Sequence, residues 1–173
     1  EPFSLIVSDH AQVAPEHEPF MIGDTTGINV RVMQELGLCE TKRDENGNEL
    51  YEFDWDKTYA VAQRGNHIYL NIKGRDPHGI IDPKDQYEWE EEIMTRLYSY
   101  KDKVTGKRII ALALRNKDAV LLGLNGPECG DIVFFTSEGY NNEHGCGLST
   151  TLGAAHTSQS PIFAAAGKGI KRG

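Results

Sequence analysis

Phe3-Ser4-Leu5-Ile6-Val7-Ser8-Asp9-His10 is the stretch on which the reading of this chain turns. A short apolar, partly β-branched run, Phe3 to Val7, stops on residues with chemical capability. That pattern predicts a buried strand delivering Asp9 and His10 at its C-terminal edge. In open α/β sheets, ligands bind at that edge. A carboxylate beside an imidazole suits Zn or Mn, and the end of a strand fixes the direction of both side chains. Taken alone, an Asp-His pair in this position is more often the start of an ordinary loop.

Downstream, Ala11 to Thr26 carries Pro15, Pro19 and Gly23 and reads as a surface loop, with His17 placed for a substrate contact. At the far end the composition from Ser137 to Ser160 shifts to Gly, Ser, Thr, Asn and His. A loop of that length inside a compact domain is usually functional or disordered. It holds His144 and His156, and it closes on Pro161 to Gly167, a second predicted buried strand. A lone loop histidine is more often a surface residue, so His156 needs a link to Asp9 and His10 before it counts as a ligand. His144 competes with it on equal terms.

Between these ends the chain alternates short elements. Ile28, Val32, Met33 and Leu36 recur at helical spacing, with Gly37 where a C-cap belongs. Asp44 to Asn48 is a turn between extended segments. Tyr59 to Gln63 and His67 to Ile72 read as strands joined by Arg64-Gly65-Asn66. Pro77 to Pro83 is loop, and Asp85 is placed to N-cap a helix reaching Tyr100, with Trp89, Ile93, Leu97 and Tyr100 on one face. Arg108 to Arg115 and Asp131 to Thr136 are further strands, with a short apolar element, Ala119 to Leu124, between them. Glu90-Glu91-Glu92 reads as a solvated helix face. His67, in a strand pattern, and His78, in a Pro-rich turn, are explained by packing and exposure.

Composition narrows the function. With 173 residues, 39% hydrophobic, 9% aromatic and 25% charged, the chain has the make-up of one folded domain and too many apolar side chains for disorder. A net charge of -8 argues against a nucleic-acid backbone as partner. A small anionic substrate stays compatible, because a bound divalent ion inverts the local field. No apolar run approaches the roughly 18 residues of a spanning helix, so no membrane segment is expected. Cys39, Cys129 and Cys146 form no CxxC pair and read as free thiols of a reducing, cytoplasmic compartment, with one bridge plus a spare thiol as the alternative. No GxSxG elbow and no phosphate loop occurs, so no nucleophile is evident. The absence of an initiating Met and the abrupt ends read as an excised piece of a longer chain.

The link between the ends comes from resemblance. Leu5-Ile6-Val7-Ser8-Asp9-His10 resembles the strand and ligand pair of the alkaline phosphatase superfamily, particularly its type I phosphodiesterase and nucleotide pyrophosphatase branch. His156-Thr157-Ser158-Gln159-Ser160-Pro161-Ile162-Phe163, followed by Gly167-Lys168-Gly169-Ile170-Lys171, is similar to that family's last ligand histidine and the strand and turn after it. Asp54-Trp55-Asp56-Lys57-Thr58-Tyr59-Ala60, Ile68 to Arg75 and Gly79-Ile80-Ile81 resemble predicted phosphohydrolases of the same superfamily. The family has Gly after Asp-His where this chain has Ala11, a small departure unless φ is positive there.

The resemblance implies an α/β fold: the C-terminal half of an alkaline phosphatase-like sheet with flanking helices, an inserted α+β segment over 27–130 and a metal-site loop over 137–160. It implies two divalent ions, Zn or Mn, with Asp9 and His10 as ligands of one and His156 of the other. The chemistry implied is in-line attack on phosphorus by a Ser or Thr that lies upstream of Glu1, with ions roughly 4 Å apart clamping the attacking and leaving oxygens. A small phosphate ester is the expected substrate. The 173-residue piece alone is expected to turn nothing over, to bind metal weakly and to self-associate through bare strand edges. Phosphoryl transfer of the phosphoglycerate mutase kind is an alternative. A non-catalytic binding domain, with 137–160 as a recognition surface, is another. Convergence of Asp9, His10 and His156 distinguishes the enzyme from the binding domain.

Overall fold

A computed structural model describes residues 2–8, 31–63, 66–137 and 162–171. The chain divides into two compact units, one formed by Glu1–Glu16 with Leu148–Gly173 and the other by His17–Gly147.

In the first unit, β1 (Ser4–Val7) pairs antiparallel with β8 (Phe163–Ala166), Ser4 opposite Ala166 and Val7 opposite Phe163. Gly167 closes one end. Its φ is +148°, and a Cβ there would lie 3.1 Å from Phe3 Cα and from Pro2 O, so a side chain at this position would have to displace backbone. Both strands were expected to be buried. They are not: Ile6 is 64% and Phe163 72% exposed. The physical reason is that a two-stranded ladder has two faces and nothing described within this unit covers either.

The second unit holds the core. Helix α1 (Arg31–Glu35) ends as its sequence predicts. Gly37 takes φ +68°, Leu38 N–H donates to Met33 O at 2.9 Å and Gly37 N–H to Gln34 O at 2.9 Å, which is a Schellman ending. A hairpin follows, β2 (Thr41–Arg43) with β3 (Glu49–Phe53). Asp44 organises its turn by accepting from the Asn46 and Asn48 amides, both at 2.8 Å.

Four strands then form one sheet in the order β4-β5-β7-β6. They are β4 (Ala60–Gln63), β5 (His67–Leu70), β6 (Ile110–Arg115) and β7 (Ile132–Thr136), and every pairing is antiparallel. Helix α2 (Gln86–Ser99) packs on β6 and buries Ile93, Met94 and Leu97. With Ile68, Leu70, Ile110, Ile132 and Phe134 these make the center of the core. The result is a mixed α and β architecture with antiparallel sheets. The strand-edge rule for parallel sheets therefore has no purchase in this unit.

Two local expectations need correction around α2. Asp85 occupies its N-cap position but makes no capping bond; Asp82 does that work one turn earlier, accepting from Lys84 N–H at 3.1 Å and starting a 3₁₀ turn over Pro83–Asp85. Glu90 is not part of a solvated face. It is buried, accepts from Gln86 Nε2 at 2.8 Å and lies 3.1 Å from Arg115 Nε, an ion pair without an aligned hydrogen bond. Its spacing from Ile93 and Leu97 puts it on the apolar stripe, and Arg115 on β6 supplies the opposite charge. Among the described residues, no helix is long and apolar enough to cross a membrane.

Candidate functional site

Asp9, His10, His17, His144 and His156 all lie outside the described residues, and so does Cys146. What the structure gives is the frame on either side of three of them. Val7 stands opposite Phe163, and one step further Ser8 N–H donates to Ile162 O at 3.1 Å. The strand that runs into Asp9-His10 and the strand reached from His156 thus meet at one end of one ladder, opposite the end closed by Gly167. Among the described residues, no group of three or more His, Cys, Asp or Glu side chains is arranged to hold a metal ion.

In the second unit, the segments 54–60, 68–75 and 79–81 have evident structural duties. Thr58 Oγ1 donates to Asp54 O at 2.8 Å, and Thr58 is fully buried. Asn71 Nδ2 donates to Thr58 O and His78 O, both at 2.9 Å, fastening the loop after β5 to the segment that leads into β4. Gly79 passes so close to the chain that a Cβ would lie 2.1 Å from Ile72 O, a position open only to glycine.

Arg75 and Asp131 fasten the next layer. Asp131, 8% exposed, accepts from Arg75 at 2.6 and 2.9 Å and from Leu70 N–H at 2.7 Å. The guanidinium also donates to Leu70 O. This paired carboxylate holds Arg75 protonated more firmly than usual, with burial acting against it. Asn116 pins the loop between β6 and β7, its Nδ2 donating to Gly126 O and Gly130 O at 2.9 Å each.

These fastenings leave an open cleft of about 670 Å³ lined by Trp55, Tyr69, Leu70, Asp76, His78 and Glu128, among others. The Trp55 and His78 rings stack, with centroids 5.7 Å apart and planes inclined at 18°. Tyr69 Oη donates to Glu128 O at 3.1 Å, and partial burial, then the nearby Cys129, Asp131 and Glu128, push its phenol above its ordinary value. Sequence reasoning set His78 aside and gave Trp55 no role. The signal available was weak: a tryptophan beside two aspartates, and a histidine in a turn. His67 does behave as a structural residue, its Nδ1 accepting from Gly130 N–H at 3.3 Å. Cys39 and Cys129 are free thiols, and burial raises Cys39 to about 12, which removes it from thiolate chemistry. No family model, curated protein or solved structure matches the chain.

Proposed function

We propose that this chain is the C-terminal part of the catalytic domain of a metal-dependent phosphohydrolase of the alkaline phosphatase superfamily, acting on small phosphate mono- or diesters. The observation that carries the reading is the hydrogen bond from Ser8 to Ile162 at the end of the β1–β8 ladder. Asp9 is the next residue after Ser8, and His156 is six residues before Ile162. Six residues span at most about 22 Å, so covalent geometry alone keeps His156 within reach of the end where Asp9 and His10 begin.

The donor set fits the group. A carboxylate and two imidazoles are ligands of the kind that Zn and Mn accept, with Asp9 and His10 on one ion and His156 on the other. Bound divalent ions would supply Lewis-acid polarization of a phosphoryl oxygen. The chain's own contribution is to hold these ligands at the end of a ladder, while a Ser or Thr nucleophile comes from sequence preceding Glu1. The exposed apolar side chains in and next to β1 and β8 support the same reading. Phe3, Ile6, Ile162 and Phe163 are more than 60% exposed. In the parent sheet, neighboring strands and helices cover them.

The test is a titration of the 173-residue chain with Mn²⁺, followed by line broadening of its histidine ring signals. Weak binding that broadens His10 and His156 together, and spares His67 and His78, is expected. Broadening confined to other histidines, or none, sinks the proposal. The chain alone is expected to leave p-nitrophenyl phosphate esters intact. Hydrolysis abolished by His156→Ala would place a nucleophile within it and overturn the assignment to an upstream segment.

A further inference from the structure

We infer that the cleft beside Trp55 binds a small organic cation: an ammonium head carried on an apolar or aromatic body. The volume of about 670 Å³ lies in the range of small-molecule sites. Trp55, Tyr69 and His78 contribute aromatic surface, Val61, Leu70 and Pro77 contribute apolar surface, and among the described residues the charged groups lining it are the carboxylates of Asp76 and Glu128.

Charge decides the sign of the ligand. Glu128 makes no ion pair among the described residues, and its carboxylate stands exposed. Asp76 has committed Oδ2 to the Ile72 amide at 2.7 Å and to Arg75 Nε at 3.0 Å. Among the described residues, Asp76 Oδ1 accepts no hydrogen bond. Arg75 touches both Asp76 and Leu70, but its two terminal nitrogens are turned to Asp131 and to Leu70 O, so its charge is matched before it reaches the cleft.

An anion would meet two carboxylates and the electron-rich rings, with no lysine or arginine in the lining among the described residues. A cation gains from both features, since ring faces attract it and Glu128 offers a countercharge. The stacked Trp55–His78 pair gives a flat wall for the ligand's body, and Asn71 holds that pair in place through His78 O. The inference stands independently of the phosphohydrolase reading, because none of these residues belongs to the ligand set of that reading.

The experiment uses three probes that share one ring and differ in charge: benzylammonium, benzyl alcohol and benzoate. Each is titrated into the isotopically labeled 173-residue chain, and the Trp55 indole N–H, identified by its loss in Trp55→Phe, is followed with the Leu70 and Asn71 amides. Saturable shifts at all three signals are expected for benzylammonium, with benzyl alcohol weaker and benzoate without effect. Trp55→Ala should weaken benzylammonium by roughly two- to thirtyfold. Glu128→Gln, an exposed change that leaves the fold intact, should weaken it by about two- to fivefold and leave benzyl alcohol unchanged. Equal binding of benzylammonium and benzyl alcohol would reduce the cleft to a generic apolar surface and overturn the inference. Absence of shifts up to probe solubility, or an unaltered Glu128→Gln variant, would do the same.

Discussion

Asp131→Asn is the change that most directly tests how the second unit is held together. The Asp131 carboxylate is 8% exposed and receives the Leu70 amide at 2.7 Å, two Arg75 N–H groups at 2.6 and 2.9 Å, and Gln86 Nε2 at 3.5 Å. Asparagine keeps the shape but turns one acceptor into a donor facing a guanidinium. Removing one member of a buried pair costs about 3–5 kcal/mol when the partner is left buried. The Arg75 side chain is 43% exposed, so its freed charge regains water and the estimate drops to about 2–3 kcal/mol. Against a typical total of about 5–15 kcal/mol, that is a large fraction. The assay is urea unfolding of wild type, Asp131→Asn, Arg75→Gln and the double variant, followed by far-ultraviolet circular dichroism. The coupling energy from the cycle should exceed about 1 kcal/mol, as expected for residues in one network. A coupling below about 0.5 kcal/mol would show that the pair is cosmetic and that the walls of the cleft are held by something else. Because Asp131 and Arg75 join the loop after β5 to the start of β7, Asp131→Asn should also weaken benzylammonium at the Trp55 cleft.

Other consequences are as direct. Gly79→Ala forces a Cβ to within 2.1 Å of Ile72 O and should cost more than about 2 kcal/mol, whereas Gly47→Ala, with open space but φ +83°, should cost about 1 kcal/mol; the difference in urea midpoint measures the clash. Glu35 accepts from Lys103 and then Tyr100, both at 2.8 Å, and these bonds hold its carboxyl below the ordinary 4.5. Its stabilization is complete above about pH 4.5 and is lost as pH falls through the lowered folded value, so Glu35→Gln should flatten the acid limb of the stability profile. An acid limb unchanged in the variant would exclude this group as its source. Tyr100, pushed up to about 12 by burial and then by Glu35, should lose its contribution only as pH rises from about 10 toward 12, readable by phenolate absorbance. In the native chain Cys129 should react with a maleimide while Cys39 stays protected, a contrast that peptide mapping resolves; labeling of Cys39 at the rate of Cys129 would contradict its burial.

Much of the second unit was legible because its signals are local. The Gly37 ending of α1, the Asp44 turn and the span of α2 each depend on residues within a few positions of one another. Glu90 shows where that stops. Its neighbors Glu91 and Glu92 suggest water, but helical spacing from Ile93 and Leu97 puts it inward, and only the distant Arg115 makes that placement tolerable. The strand order β4-β5-β7-β6 was not legible at all, since the sequence marks strands but carries no local mark of which neighbors which. The exposure of β1 and β8 was misread for a related reason. An apolar, β-branched run states that a strand is suited to burial, and the surroundings decide whether it is buried.

The two candidate sites were unequally visible, and the difference is chemical. Asp9, His10 and His156 are side chains of metal-ligating type, so a reader can list them before any fold is known. Trp55, Tyr69, His78 and Glu128 are ordinary residues in ordinary contexts. They become a site only because Asn71 ties Thr58 O to His78 O and Tyr69 reaches Glu128 O across 59 residues of sequence. The backbone carbonyls that create the cleft accept from side chains, and the identity of the accepting residue does not matter to such a bond. Nothing in the types of Thr58, His78 or Glu128 therefore betrays the contact. Sites built from reactive groups announce themselves in sequence, and sites built from shape and field appear only when long-range hydrogen bonds have assembled them.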